Sequence, residues 1–102
     1  MQVIRDLAEE IRDELDGAGE YAKKAAHFKG TDDSLAAMYS EIAGQELGHV
    51  DKLHSKAMEI IKKYRAEKGD PPKAMQAVWD WEHKAMIQRM AEIKGMLEML
   101  RK

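Results

Sequence analysis

Apolar residues recur every three to four positions along three stretches of this chain, the spacing of an amphipathic helix. On a helical wheel the first stretch gathers Ile4, Leu7, Ile11, Leu15, Ala18, Tyr21, Ala22, Ala25 and Phe28 on one arc. The second gathers Leu35, Tyr39, Ile42, Ala43, Val50, Leu53, Ala57, Ile60, Ile61 and Tyr64. The third gathers Met75, Val78, Trp79, Ala85, Met86, Met90, Ile93, Met96, Leu97 and Leu100. No β-branched run alternates with polar residues, so the expected class is all-α.

Two turn signals divide the pattern. In KGTDDS, Gly30 suits the position just past a helix end, Thr31 can cap the next helix, and Asp32 and Asp33 suit its electropositive first turn. In KGDPPK, Gly69 ends a helix, Asp70 can cap, and Pro71 fits the first helical position. The prediction is one domain over 1–102, with helices at about 2–29, 32–68 and 71–101. Connections this short make successive helices antiparallel neighbours. At 1.5 Å per residue the middle helix is roughly 50 Å long, and such length invites pairing with a second copy.

The arcs are not purely apolar. Glu14, Glu46 and Glu82 fall within them, one on each helix. An unpaired carboxylate on a buried face is costly. Glu82 has Arg89 two turns further along the same stripe, whereas Glu14 and Glu46 have only His49. Glu46 and His49 are three residues apart, so both can reach one point beside the helix. A carboxylate with an imidazole suits iron, manganese or zinc better than magnesium or calcium. Dimetal centres in four-helix bundles take one Glu from each of two helices and Glu-x-x-His from each of the other two. Glu14, Glu46 and His49 amount to half of that set, and a two-fold dimer would supply the rest.

The surrounding spacing adds to this. From Glu14 it runs to Ala18, Tyr21 and Ala25, and from Ala36 to Tyr39, Ala43, Glu46 and His49. Over about residues 11–54 the chain resembles the first two helices of the rubrerythrin-like branch of the ferritin-like superfamily. It is also similar to the short encapsulated ferritins, whose half-bundles dimerise to build the metal site. The resemblance implies a helical hairpin completed to a four-helix bundle by a homodimer or higher homo-oligomer. It implies Glu14, Glu46 and His49 as iron ligands, with Glu46 bridging and two ions per dimer site. Oxygen or peroxide would be the substrate, giving ferroxidase or peroxide-reducing activity. Tyr21 and Tyr39 would lie nearby and orient the carboxylates, although ordinary core packing explains both equally well. Glu82, followed by Ala85, faintly matches the start of a third family helix and stands as a further candidate ligand or as a partner for Arg89. His54 falls on the other flank from His49, with a surface or supporting role. The chain departs from the family in lacking a second Glu-x-x-His and the cysteine-bound iron module.

Composition narrows the remaining classes. Hydrophobic content of 44% with 35% charged residues fits a folded globular protein. The 19 acids and 17 bases are well mixed and form no basic stripe, which argues against nucleic acid. With no cysteine there is neither a disulfide nor a thiolate metal site. No apolar run reaches membrane-spanning length, and MQVIRDLAEE is too acidic for a signal peptide. The expected location is cytoplasmic, with the interior of a protein shell as a variant. Zinc or manganese in a structural role is the metal alternative. The functional alternative is a non-catalytic helical interaction module. Five of the eight methionines lie in the third helix, which makes that helix the expected extra contact surface, and Trp79 and Trp81 are expected to anchor its packing, Trp81 closer to the edge.

Overall fold

A computed structural model describes residues 1–101 as three helices: α1 (Gln2–Phe28), α2 (Asp33–Lys68) and α3 (Lys73–Leu100). The all-α expectation holds, and the described residues contain no strand. The body is an elongated rod of 55 × 19 × 17 Å, as a long middle helix requires.

The turns use the predicted residues in partly different roles. Gly30 and Gly69 have φ of 90° and 81°, the left-handed region that only glycine enters at little cost. Asp32, not Thr31, caps α2, accepting from the Leu35 N–H at 3.0 Å. Thr31 instead donates to the Phe28 carbonyl, and Asp33 accepts from the Gly30 N–H. Arg65 and Lys68 occupy the last turn of α2, where cations complement the helix dipole. Helix α3 starts at Lys73, two residues later than predicted. Pro72 occupies its cap position in an extended conformation, and no side chain caps it, so Asp70 does not.

Cross-helix contacts fix the directions. Along α1 the partners Glu14–His49, Gly17–Glu46 and Tyr21–Tyr39 descend along α2, so α1 and α2 are antiparallel. The partners Arg12–Glu82, Asp16–Arg89 and Lys29–Leu100 ascend along α3, so α1 and α3 are parallel. Helix α3 lies chiefly on α1 and meets α2 through His54–His83, Tyr64–Trp79 and Arg65–Gln76.

The core runs along the seam of all three helices. Ile11, Leu15, Ala18 and Ala22 from α1 meet Ala43, Leu47 and Val50 from α2 and Met86, Met90 and Ile93 from α3. The small residues Ala18, Ala22 and Ala43 are fully buried and let α1 and α2 approach closely. Several predicted core positions lie elsewhere. Val78 and Ala85 are exposed; Trp81, expected nearer the edge, is 68% exposed, and Trp79 is the tryptophan that packs, against Tyr64. Met86 and Met90 are core residues, so the methionine stripe of α3 mostly faces inward; Met99, at 74% exposed, is its outward member. Leu47 and Ala36 are buried although the wheel left them out.

Candidate metal centre

Among the described residues, two stripes on α1 carry its cross-helix polar contacts to the middle of the rod. Arg12, Asp16 and Gly19 face α3: Arg12 bonds Glu82, Asp16 accepts from Arg89 at 2.8 Å, and Arg89 passes close over Gly19. Glu14, Gly17 and Tyr21 face α2. At about 100° per residue these stripes lie on nearly opposite sides of α1. The second stripe continues onto α2 as Tyr39, Ile42, Glu46 and Leu53, and all of these residues are half-buried. One side of the α1/α2 hairpin is therefore covered by α3, and the other is uncovered.

Of the three residues expected as ligands, Glu14 and His49 touch on the uncovered side, and Glu46 lies near them over Gly17. His49 Nδ1 lies 3.2 Å from Glu14 Oε2. The Glu46 carboxylate lies across α1 at Gly17: a Cβ there would stand 2.1 Å from Glu46 Oε2. Burial, then the nearby charge of Glu14, raises the Glu46 pKa above its usual 4.5, and His49 offsets this in part. None of the three is fully buried. The side chain of Glu14 is 30% exposed and that of His49 is 54% exposed, so the centre opens at the surface of a single chain. Among the described residues no three His, Asp or Glu side chains converge closely enough to hold a metal ion.

The other candidates lie elsewhere. Glu82 binds Arg12 at 2.5 Å, and its predicted partner Arg89 binds Asp16. The parallel register of α1 and α3 exchanges those partners. Tyr21 and Tyr39 stack at 5.9 Å between centroids, with Phe28 stacked on Tyr39 and Lys24 Nζ 5.5 Å from both tyrosine rings. Among the described residues neither tyrosine hydroxyl bonds to Glu14 or Glu46, and the rings pack against each other and Phe28.

His54 sits away from His49, facing α3. Its ring stacks on that of His83 at 4.9 Å and 7°, and its Nε2 is buried without a partner. Burial, then His83, lowers its pKa below 6.5, against a smaller opposing effect of Asp51. The pair lines an apolar cleft of about 440 Å³ between the N-terminal halves of α1 and α3 and the C-terminal half of α2, with Ile4, Ile61, Trp79 and Met86 among its walls. This cleft includes neither Glu14, Glu46 nor His49.

No family model, curated protein or solved structure matches the chain. No helix among the described residues is long and apolar enough to cross a membrane.

Sequence reasoning missed Gly17, whose value depends on which α2 residue crosses it. The signal present in the sequence was a glycine in a helix interior three residues after a candidate ligand.

Proposed function

We propose that the uncovered face of the α1/α2 hairpin is half of a carboxylate–histidine centre. A second copy of the chain completes it, and the centre binds two iron ions that react with oxygen or peroxide. One observation carries this reading. Glu14 and Glu46 lie near each other, partly buried, and among the described residues neither forms an ion pair with a lysine or arginine; His49 is the group that offsets their charge. A cation relieves that mismatch, and two carboxylates with an imidazole form a donor set suited to iron, manganese or zinc.

The residues fit the task. When His49 donates its Nδ1–H to Glu14, its Nε2 lone pair is left free for a metal. This is the usual way a carboxylate orients a ligating histidine. Glu14 then orients His49 and still has a second oxygen to offer. Glu46, held across Gly17, presents its carboxylate to the same side. The half-buried Tyr39, Ile42 and Leu53 provide an apolar surround that a second copy would seal from water. Iron in such a centre supplies one-electron transfer to oxygen or peroxide. The protein supplies the ligands, their spacing and the exclusion of bulk water. The hairpin's likeness to the rubrerythrin-like pattern over residues 11–54 supports the same conclusion.

Anaerobic titration with Fe(II), followed by oxygen and read by absorbance, tests the proposal. The expected result is about one iron per chain in a dimeric protein, oxidised on exposure to oxygen, with binding lost in Glu46→Ala. A wild-type chain that binds no metal, or a Glu46→Ala variant that binds as well as wild type, would sink it. Either result would favour the helical interaction module.

A further inference from the structure

Glycine in a helix interior is unfavourable relative to alanine, because it loses more backbone freedom on folding. Gly17 stands in the middle of α1, so its presence calls for a cause. A Cβ at Gly17 would lie 2.1 Å from Glu46 Oε2, 3.0 Å from its Cδ and 3.2 Å from its Oε1. No other glycine in a helix is crossed this closely. At Gly44, Gly48 and Gly95 a Cβ would meet nothing within 4 Å, and at Gly19 the nearest atom would be 3.4 Å away. The carboxylate of Glu46 therefore occupies the space where a side chain on α1 would begin. That space is one turn of α1 beyond Glu14 and on the same stripe.

We propose that Gly17 is a positioning residue: its missing side chain is the seat of the Glu46 carboxylate, and the seat holds that carboxylate beside Glu14 and His49 before any ion arrives. The effect on metal binding rests on the reading of these three residues as ligands. The seat itself does not. The atoms nearest to a Cβ at position 17 are all at the far end of a flexible side chain, so the fold can accept Gly17→Ala by swinging Glu46 outward. The substitution should therefore make the metal-free chain more stable and the metal centre weaker. An ordinary structural glycine would not separate the two in this way.

The test uses the full-length chain and two readouts. In thermal unfolding with chelator, Gly17→Ala should raise the melting temperature in both the wild-type and Glu46→Ala backgrounds. The rise should be greater in Glu46→Ala, by about 6 °C for each factor of ten in coupling, because no carboxylate then has to move. Equal rises in the two backgrounds would overturn the proposal. In Co(II) titration followed by absorbance, Gly17→Ala should weaken binding at least about tenfold, the effect of disturbing a group that orients ligands. Gly95→Ala, the control, should leave it unchanged. Unweakened binding in Gly17→Ala would also overturn the proposal. If the wild type binds no Co(II), the metal reading fails, and the unfolding comparison alone decides whether Gly17 seats Glu46.

Discussion

The two sides of α1 handle charge differently. Toward α3 each acid meets an arginine: Glu82 takes Arg12, and Asp16 takes Arg89. Toward the uncovered face, Glu14 and Glu46 lie near each other, and among the described residues their one ion-pair partner is His49, on Glu14. The first side is a neutralised helix contact. The second sets two carboxylates near each other among the half-buried Tyr39, Ile42 and Leu53, with Lys24 over the tyrosine rings at one end. Their difference teaches that a carboxylate on a helix stripe says little alone. What matters is whether its neighbours supply a compensating charge.

The largest test of this contrast concerns packing. Ile93, 3% exposed, fills the seam between α3 and the hairpin. Ile93→Ala should cost about 2–5 kcal/mol in urea unfolding, as a buried large-to-small change does. Ile42 on the uncovered face is only half-buried in one chain. Ile42→Ala should cost roughly 1 kcal/mol in dilute protein and, if a second copy covers this face as proposed, more as protein concentration rises. An Ile42→Ala cost that equals that of Ile93→Ala at every concentration would mean the two faces do not differ in cover.

This contrast was partly legible in the chain. The three helices and both turns follow from the 3.6-residue pattern and from Gly30 and Gly69, which are local signals. That Glu14, Glu46 and His49 lie near one another was legible because one helical spacing puts Glu46 and His49 together and a second wheel puts Glu14 inward. The buried arc was not fully legible. Helix α3 covers the hairpin on the Leu47 side, which draws Leu47 into the core and leaves Glu46 on its flank. A wheel for one helix cannot say from which direction a third helix arrives. Register between helices is equally non-local. It gave Glu82 to Arg12 instead of Arg89, and it placed Glu46 over Gly17.

A smaller effect tests the charge contrast directly, without metal. Glu14→Gln with Glu46→Gln should leave stability unchanged or raise it by up to about 1 kcal/mol, because it relieves like charges. Glu82→Gln should lower stability by up to about 1 kcal/mol, the range for a partly exposed ion pair. The pH dependence should differ in sign. The folded-state pKa of Glu46 is raised above 4.5, so its contribution favours folding at low pH and is lost as pH rises through that raised value. The folded-state pKa of His54 is lowered below 6.5, so its contribution is present above 6.5 and is lost as pH falls through the lowered value. His83 and Asp51 act on His54 there, and Arg12 and Glu82 line the same cleft. Melting temperatures with chelator from about pH 4 to 8 should show both slopes. Glu46→Gln should remove the first and His54→Phe the second. If both variants keep the wild-type profile, neither group is the source of the dependence.

The smallest effect separates the glycines. Gly44 and Gly48 lie one helical turn apart on the outer side of α2, exposed, with nothing within 4 Å of where a Cβ would be. If that side faces water, alanine at either position should stabilise the chain by about 0.5–1 kcal/mol through backbone entropy alone. The gain should be independent of protein concentration and of Glu46. Gly17→Ala carries the same backbone gain, but the displaced Glu46 carboxylate opposes it. Thermal unfolding of the three variants, with sedimentation to follow assembly, makes the comparison. A loss of stability or of assembly in Gly44→Ala or Gly48→Ala would mean that a second chain packs on the outer side of α2. The uncovered face opposite α3 would then not be the only surface on which copies meet.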